Sequence, residues 1–401
     1  ELLPLVQQAK LLAKQYDAVI ANPPYMGNKY LNPNLKTYLK KNYQGYEKDL
    51  FSAFMIRDLQ LTKESGQLGF MSPFVWMFIS SYENLRAHFI DHATITSLIQ
   101  LEYSGFDGAT VPICTFTLAK AHIVEFTGSY IRLSDFKGSE NQAPKTLEAI
   151  KNPKCGWFYN TKPDDFKKIP GSPVAYWVSK IERNSYELGY TLKKFSFPKK
   201  GLDTGENAIF LRFWFEVDKN ISAAFNGSMN NKWFPYNKGG DFRRWYGNRE
   251  YVINWENDGS EIKSRLSLKT KKPTIRNITF QMKEGFTWTT ISSGGFSCRY
   301  TPKGALFDNG GCTLFSDRNL KKYGAFLNSK VASRYLEFLS PTLNFQPGDI
   351  GKILFKEDID NLPLNTENLI RISQSDWDSY ETSWEFTENP IIRIQQPTLE
   401  Q

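Results

Sequence analysis

Residues 16–30 read YDAVIANPPYMGNKY: a short apolar run, Ala18 to Ala21, stops on the amide Asn22, two prolines and the aromatic ring of Tyr25. A run this short, bounded by proline, predicts a strand with a rigid turn at its carboxyl end. Upstream, LVQQAKLLAKQ (5–15) has apolar positions at helical spacing. Downstream, a polar loop runs to about Tyr46, and DLFSAFMIRDLQLTKES (49–65) predicts a helix closed by Gly66. QLGFMSP (67–73) predicts a strand ended by Pro73, YENLRAHFIDH (82–92) a helix, and ITSLIQLE (95–102) a strand. FDGATVPICTFTLAKA (106–121) predicts a turn and a returning strand. Helices alternating with short apolar strands give an α/β class, one half of a doubly wound sheet.

A chain of 401 residues exceeds one ordinary core, so two domains are expected. The α/β alternation fills residues 1–125 and then fades. Residues 126–190 read as a connecting region, with 138–175 rich in Pro, Lys, Asp and Asn. Short strands between Gly and Asn turns then predict a mixed α+β domain over 191–360, as in AIFLRFWFEV (208–217) and TWTTISSGGFSCRY (287–300). LKKYGAFLNSKVASRYLEFLS (320–340) predicts one amphipathic helix. Residues 361–401, with DWDSYETSWEF at 376–386, read as an acidic connector.

Four cysteines, without C-x-x-C spacing, argue against a disulfide framework or a zinc site and for a reducing, cytoplasmic setting. His88 and His92 stand four apart without the intervening Glu of H-E-x-x-H, so a solvated helix face is expected and no metal. No apolar run approaches the roughly 20 residues of a membrane span. Glu1 begins the chain with no signal-peptide pattern, which reads as a piece of a longer protein.

The net charge of +8 is unevenly distributed. Residues 191–300 hold 19 Lys+Arg against 10 Asp+Glu, and the rest of the chain holds 31 against 32. Within that segment Lys238, Arg243, Arg244 and Arg249 interleave with Trp245 and Tyr246, and Lys269, Lys271, Lys272 and Arg276 follow. Cations among aromatic and turn residues predict a surface for a polyanion such as double-stranded DNA.

The NPPY turn suits chemistry at a conjugated amine. The lone pair of such a nitrogen is delocalised into the ring. Acceptors placed on its hydrogens draw it toward sp³ and aim the lone pair at an electrophile. The Asn22 side-chain oxygen and the Pro23 carbonyl can be those acceptors, held in advance by the rigidity of Pro23 and Pro24. Tyr25 offers a face for an extruded base.

These motifs resemble those of N6-adenine DNA methyltransferases in which a recognition domain follows the catalytic one. The likeness is carried by YDAVIANPPYMGNKY, DLFSAFMIRDLQLTKESGQLGFMSPFVWM and FDGATVPICTFTL. WFPYNKGGDFRRWYGNREYVINWENDG and LNSKVASRYLEFLSPTLNFQPGDI are similar to the large PglX-type methyltransferases of BREX phage-defence systems and to fused restriction–modification enzymes. The resemblance implies Asn22, Pro23, Pro24 and Tyr25 as the catalytic turn and Phe106 as a second aromatic near the flipped base. It implies Phe54 against the adenine of S-adenosylmethionine, with Asp49 lining the same cleft. It makes the basic segment the target-recognition domain and further defence-system subunits possible partners. The glycine-rich loop that cradles the methionine half of the cofactor should precede NPPY, and residues 1–21 contain no such loop. The cofactor site is therefore expected to be incomplete and the piece inactive alone. Two other readings stay open from the residues: a DNA-specificity subunit without catalysis, and a methyltransferase acting on a glutamine amide in a protein.

Overall fold

Helix α1 (Leu2–Ala13) leads into strand β1 (Tyr16–Ala21), as the apolar spacing predicts. The computed structural model describes residues 2–103, 105, 111–228, 230–356 and 364–393. It divides into two units, Glu1–Leu188 and Gly189–Gln401.

In the first unit β1 is followed by α2 (Pro33–Asn42), α3 (Leu50–Leu61), β2 (Thr62–Pro73), α4 (Glu83–His92), β3 (Thr94–Gln100) and β4 (Ile113–Ala119). Then come β5 (Gly128–Arg132), α5 (Ser139–Lys151), β6 (Phe158–Thr161) and α6 (Lys180–Leu188). The six strands form one mixed sheet in the order β1-β2-β4-β3-β5-β6. β1 runs parallel to β2 and β3 to β5, whereas β4 is antiparallel to both β2 and β3, and β6 to β5. Phe51, Met55 and Leu59 of α3 and Leu85 and Phe89 of α4 pack with Leu68, Phe70, Trp76 and Phe116 into its main core. Each such side chain contributes about 1.5–3 kcal/mol by leaving water. β1 stands at one end of the sheet order, Ile20 is 86% exposed, and no residue of α1 is buried.

Several expectations need correction here. Gly66 does not close a helix. α3 ends at Leu61 and β2 starts at once, with Ser65 at φ 62° in a bulge opposite Tyr16 and Ala18. A Cβ on Gly66 would come within 2.9 Å of the Asp17 carbonyl oxygen, so glycine is required there by the close approach of β1. The polar loop after NPPY contains α2, whose signal is Asn32 as N-cap, accepting from Leu35 N, with Pro33 in the first turn. Residues 126–188 are no connector: β5 and β6 extend the sheet, and Ile131, Leu133 and Ala149 form a further cluster of buried side chains. His88 is half-buried against His92 and Tyr46, and burial lowers its pKa.

The second unit has the expected short strands. One sheet orders Leu306–Phe307, Trp233–Asn237, Tyr251–Asn254 and Leu211–Phe213. Another orders Cys298–Thr301, Gly285–Trp288, Thr313–Phe315 and Phe197–Lys199. Residues 320–340 are two helices, Leu320–Leu327 and Lys330–Leu339, not one. The break has two causes: Ser329 caps Ala332 N, and the Asn328 amide bonds the backbone N–H and C=O of Cys298. Thr366–Trp377, expected within a connector, is a helix that packs its Ile370 and Trp377 into this unit.

Candidate active site and basic surface

The NPPY turn leaves the carboxyl end of β1, where open α/β sheets place ligands. Pro23 is buried and anchors the turn, while Asn22 and Pro24 face solvent. Tyr25, 38% exposed, donates its hydroxyl to the Asn22 Oδ1 at 3.0 Å. A carbonyl oxygen has two lone pairs, so this bond orients the Asn22 amide and leaves acceptor capacity. Desolvation pushes the Tyr25 pKa above its ordinary value, which keeps the hydroxyl protonated as donor.

Asp49, expected to line the cofactor cleft, has contacts that brace the NPPY loop. Its carboxylate caps α3, accepting from Phe51 N at 3.3 Å, and also accepts from Met26 N at 3.0 Å. Leu50 N donates to Met26 O and Asn28 N to Lys48 O, so the end of the NPPY loop is stapled to the start of α3. Desolvation raises the Asp49 pKa against those N–H bonds. The cap fits Asp49 as a brace of the site, with its Oδ1 already engaged. Phe54 stands 39% exposed on α3, between the buried Ala53 and Met55, so it is not the helix-core residue that spacing alone allows. α1 and β1, which precede the turn, contain no glycine loop. Phe106 lies outside the described residues.

The eight basic candidates separate into two groups. Four are engaged within the second unit. Lys238 Nζ lies 2.7 Å from the buried Asp308 carboxylate, and Lys271 Nζ 2.6 Å from Glu206. Arg243 pairs with Asp376 at 2.5 Å, lies over the Trp377 ring, and donates its Nε to Tyr246 O. Arg249 is held over the rings of Tyr246 and Trp384. Arg244, Lys269, Lys272 and Arg276 are exposed, and among the described residues none forms an ion pair. The loop that carries Arg243 and Arg244 is pinned further by Ser373, whose hydroxyl donates to Arg244 O at 2.9 Å. Beneath it Arg299 is buried, donating to the Arg243 carbonyl and the Thr289 hydroxyl, and burial pulls its pKa down to about 10. The residues 373–384 that fix this loop were missed as partners. Their acidic and aromatic composition, complementary to the arginines, was the available signal.

Among the described residues no cluster of His, Cys, Asp and Glu has metal-binding geometry, and no helix is long and apolar enough to cross a membrane.

The family model of the Eco57I restriction-modification methylase matches residues 5–106. The adenine-specific methyltransferase PglX of Lacticaseibacillus casei is 39% identical over 98% of this chain, and BrxX of Escherichia coli O9:H4 is 40% identical over 98%. This chain is a homologue of the PglX/BrxX adenine-specific methyltransferases. It spans about a third of the length of these relatives: 34% of PglX and 32% of BrxX. Among solved structures, the type IIL restriction-modification enzyme MmeI in complex with DNA superposes with a TM-score of 0.52 at 10% identity, covering 92% of this chain and 50% of that one. The fold is thus shared with MmeI well beyond the reach of sequence identity.

Proposed function

We propose that this chain is the NPPY-bearing and target-recognition part of a site-specific DNA methyltransferase. The reaction transfers a methyl group from S-adenosylmethionine to the N6 amine of adenine, in restriction–modification or phage defence. The observation that carries the reading is the Asn22 amide, exposed at the end of β1 with its oxygen oriented by Tyr25. In this reading Asn22 Oδ1 and the Pro23 carbonyl accept the two amine hydrogens, and the lone pair that emerges on nitrogen would displace the sulfonium sulfur from the methyl carbon, leaving a thioether, after which the amine would lose one proton to solvent. The Tyr25 ring carries the extruded base, and Asp49 holds the loop against α3. Bound S-adenosylmethionine supplies the electrophilic methyl group, and Phe54 is the residue of this chain that would hold it.

The six-stranded sheet is read as the carboxyl-terminal half of a doubly wound catalytic sheet. Exposed Ile20 on β1 and the unburied leucines of α1 support this, because a further half-sheet added at β1 would cover them. The chain alone would then lack the methionine side of the cofactor site. Double-stranded DNA is the partner of the second unit, with Arg244, Lys269, Lys272 and Arg276 toward phosphate. The test is methyl transfer by the intact parent protein from labelled S-adenosylmethionine to duplex DNA. Label in N6-methyladenine is expected. Label only in protein glutamine, or no transfer with DNA binding intact, would overturn the reading.

A further inference from the structure

The second unit contains a cavity of about 590 Å³, within the range of small-molecule sites. Its walls combine the rings of Phe234, Tyr246, Tyr300 and Trp384 with two cations, Arg249 and Lys303. One carboxylate, that of the exposed Glu385, shares the lining. Phe234 and Tyr246 are buried and form the floor, while Lys303 is exposed at the rim.

Arg249 differs from the other arginines of its loop. Its guanidinium carbon lies 4.8 Å from the Trp384 ring centre and 5.4 Å from that of Tyr246. Its Nη1 donates to the Tyr246 hydroxyl at 2.5 Å. Where Arg243 has Asp376, Arg249 has no carboxylate at ion-pairing distance among the described residues, and its Nε and Nη2 have no acceptor there. A planar fork fixed by two rings, with donors to spare, is organised in advance for an anion.

Backbone strain falls at the same place. Met282, in the cavity wall, has φ 64°, and Trp245, next to the wall residue Tyr246, has φ 74°. Bulky side chains avoid this left-handed region, and such outliers gather at binding sites. Both are held there by backbone bonds. Met282 N donates to Ala305 O and Gly304 N to Met282 O, while Trp245 N donates to Cys298 O and Tyr300 N to Trp245 O. The clamps fix the strand segments that carry Tyr300 and Gly304 to the cavity.

We propose that this cavity binds a nucleotide, its base stacked among the rings and its phosphate on Arg249 and Lys303. This is a second nucleotide site, in the other unit from the NPPY turn, and it stands whether or not that turn methylates DNA. The nucleotide can come from solution or from an unpaired strand.

The 401-residue chain would be titrated by calorimetry with dAMP, deoxyadenosine, inorganic phosphate and a short single-stranded oligodeoxynucleotide. If the ligand is a free nucleotide, dAMP binds at least as tightly as the oligonucleotide per nucleotide; if it is a strand, the oligonucleotide binds more tightly. In either case Lys303→Gln weakens the phosphate-bearing ligand several-fold and leaves deoxyadenosine unchanged. Tyr300→Ala weakens dAMP and deoxyadenosine alike by about 10-fold, as loss of a stacking face does, and Tyr300→Phe keeps binding. Lys303 is exposed, so its variant reports even if Tyr300→Ala fails to fold. Absence of binding, binding indifferent to Lys303→Gln, or phosphate bound as tightly as dAMP would overturn the proposal.

Discussion

Asn22 and Tyr25 are coupled by one hydrogen bond of 3.0 Å, and that coupling ranks their variants. In the intact parent protein Tyr25→Phe keeps the ring and releases the Asn22 amide, and one neutral hydrogen bond is worth about 0.5–1.5 kcal/mol. A fall in kcat/KM of about 2- to 12-fold is expected. Tyr25→Ala also removes the stacking face, worth roughly 1–3 kcal/mol, so its loss should be about 5- to 150-fold or greater. Asn22→Ala should cost about 100-fold or more, because it removes an acceptor at the reacting nitrogen. Equal losses in all three, accompanied by lower melting temperatures, would mean that the turn only packs. Asp49→Ala should behave differently, lowering stability by about 0.5–2 kcal/mol through the lost cap and loosening the loop at Met26. Thermal melts of this chain check it, and Asp49→Asn should restore most of the loss. The NPPY turn was legible in the sequence because its residues are contiguous and end an apolar strand. The brace formed by Asp49 was not, since a cap that also reaches 23 residues back depends on tertiary placement.

At the scale of elements, α3 carries a buried acid. Asp58 is 6% exposed, its Oδ2 has no hydrogen-bond partner among the described residues, and desolvation raises its pKa to about 6 despite neighbouring Arg57. A raised carboxyl pKa favours the protonated form in the fold. Stability is therefore highest below the unfolded value near 4 and falls as pH rises through about 6. Replacing Asp58 by Asn should remove roughly 1–3 kcal/mol of this pH dependence, so melting temperatures of variant and parent chain at pH 4 and pH 7 should diverge at the higher pH. Parallel curves would place Asp58 in contact with solvent. The basic loop makes a second test. Arg244→Ala should flatten the slope of log K against log salt for duplex DNA by up to about 0.9 if it meets a phosphate. Arg243→Ala should instead lower the melting temperature, because it unties the loop from Asp376 and Trp377. The reverse outcome would exchange their roles. Sequence spacing could not separate these adjacent arginines. Only the fold shows that the helix Thr366–Trp377 engages one of them by its side chain.

For the whole molecule, the alternation of helix and strand was legible through about residue 121, because each strand is short, apolar and bounded by turn residues. β5 and β6 were not, since Gly128–Arg132 and Phe158–Thr161 are brief and flanked by polar segments, and only the pairing of β5 with β3 and of β6 with β5 makes a sheet of them. The excess charge of residues 191–300 was equally plain, but three of the eight chosen cations turn out to be paired with carboxylates of the second unit, and Arg249 is held over two of its rings. What unites both units in this account is a reaction at adenine in DNA, with Asn22 at its centre. N6-methyladenine would be mapped in DNA from cells carrying the intact parent gene, either unchanged or with Asn22→Ala, alongside melts of the two purified proteins. The expected result is methylation of adenine at a defined sequence that disappears with Asn22→Ala while the melting temperature stays the same. Methylation at that sequence persisting with Asn22→Ala would contradict it.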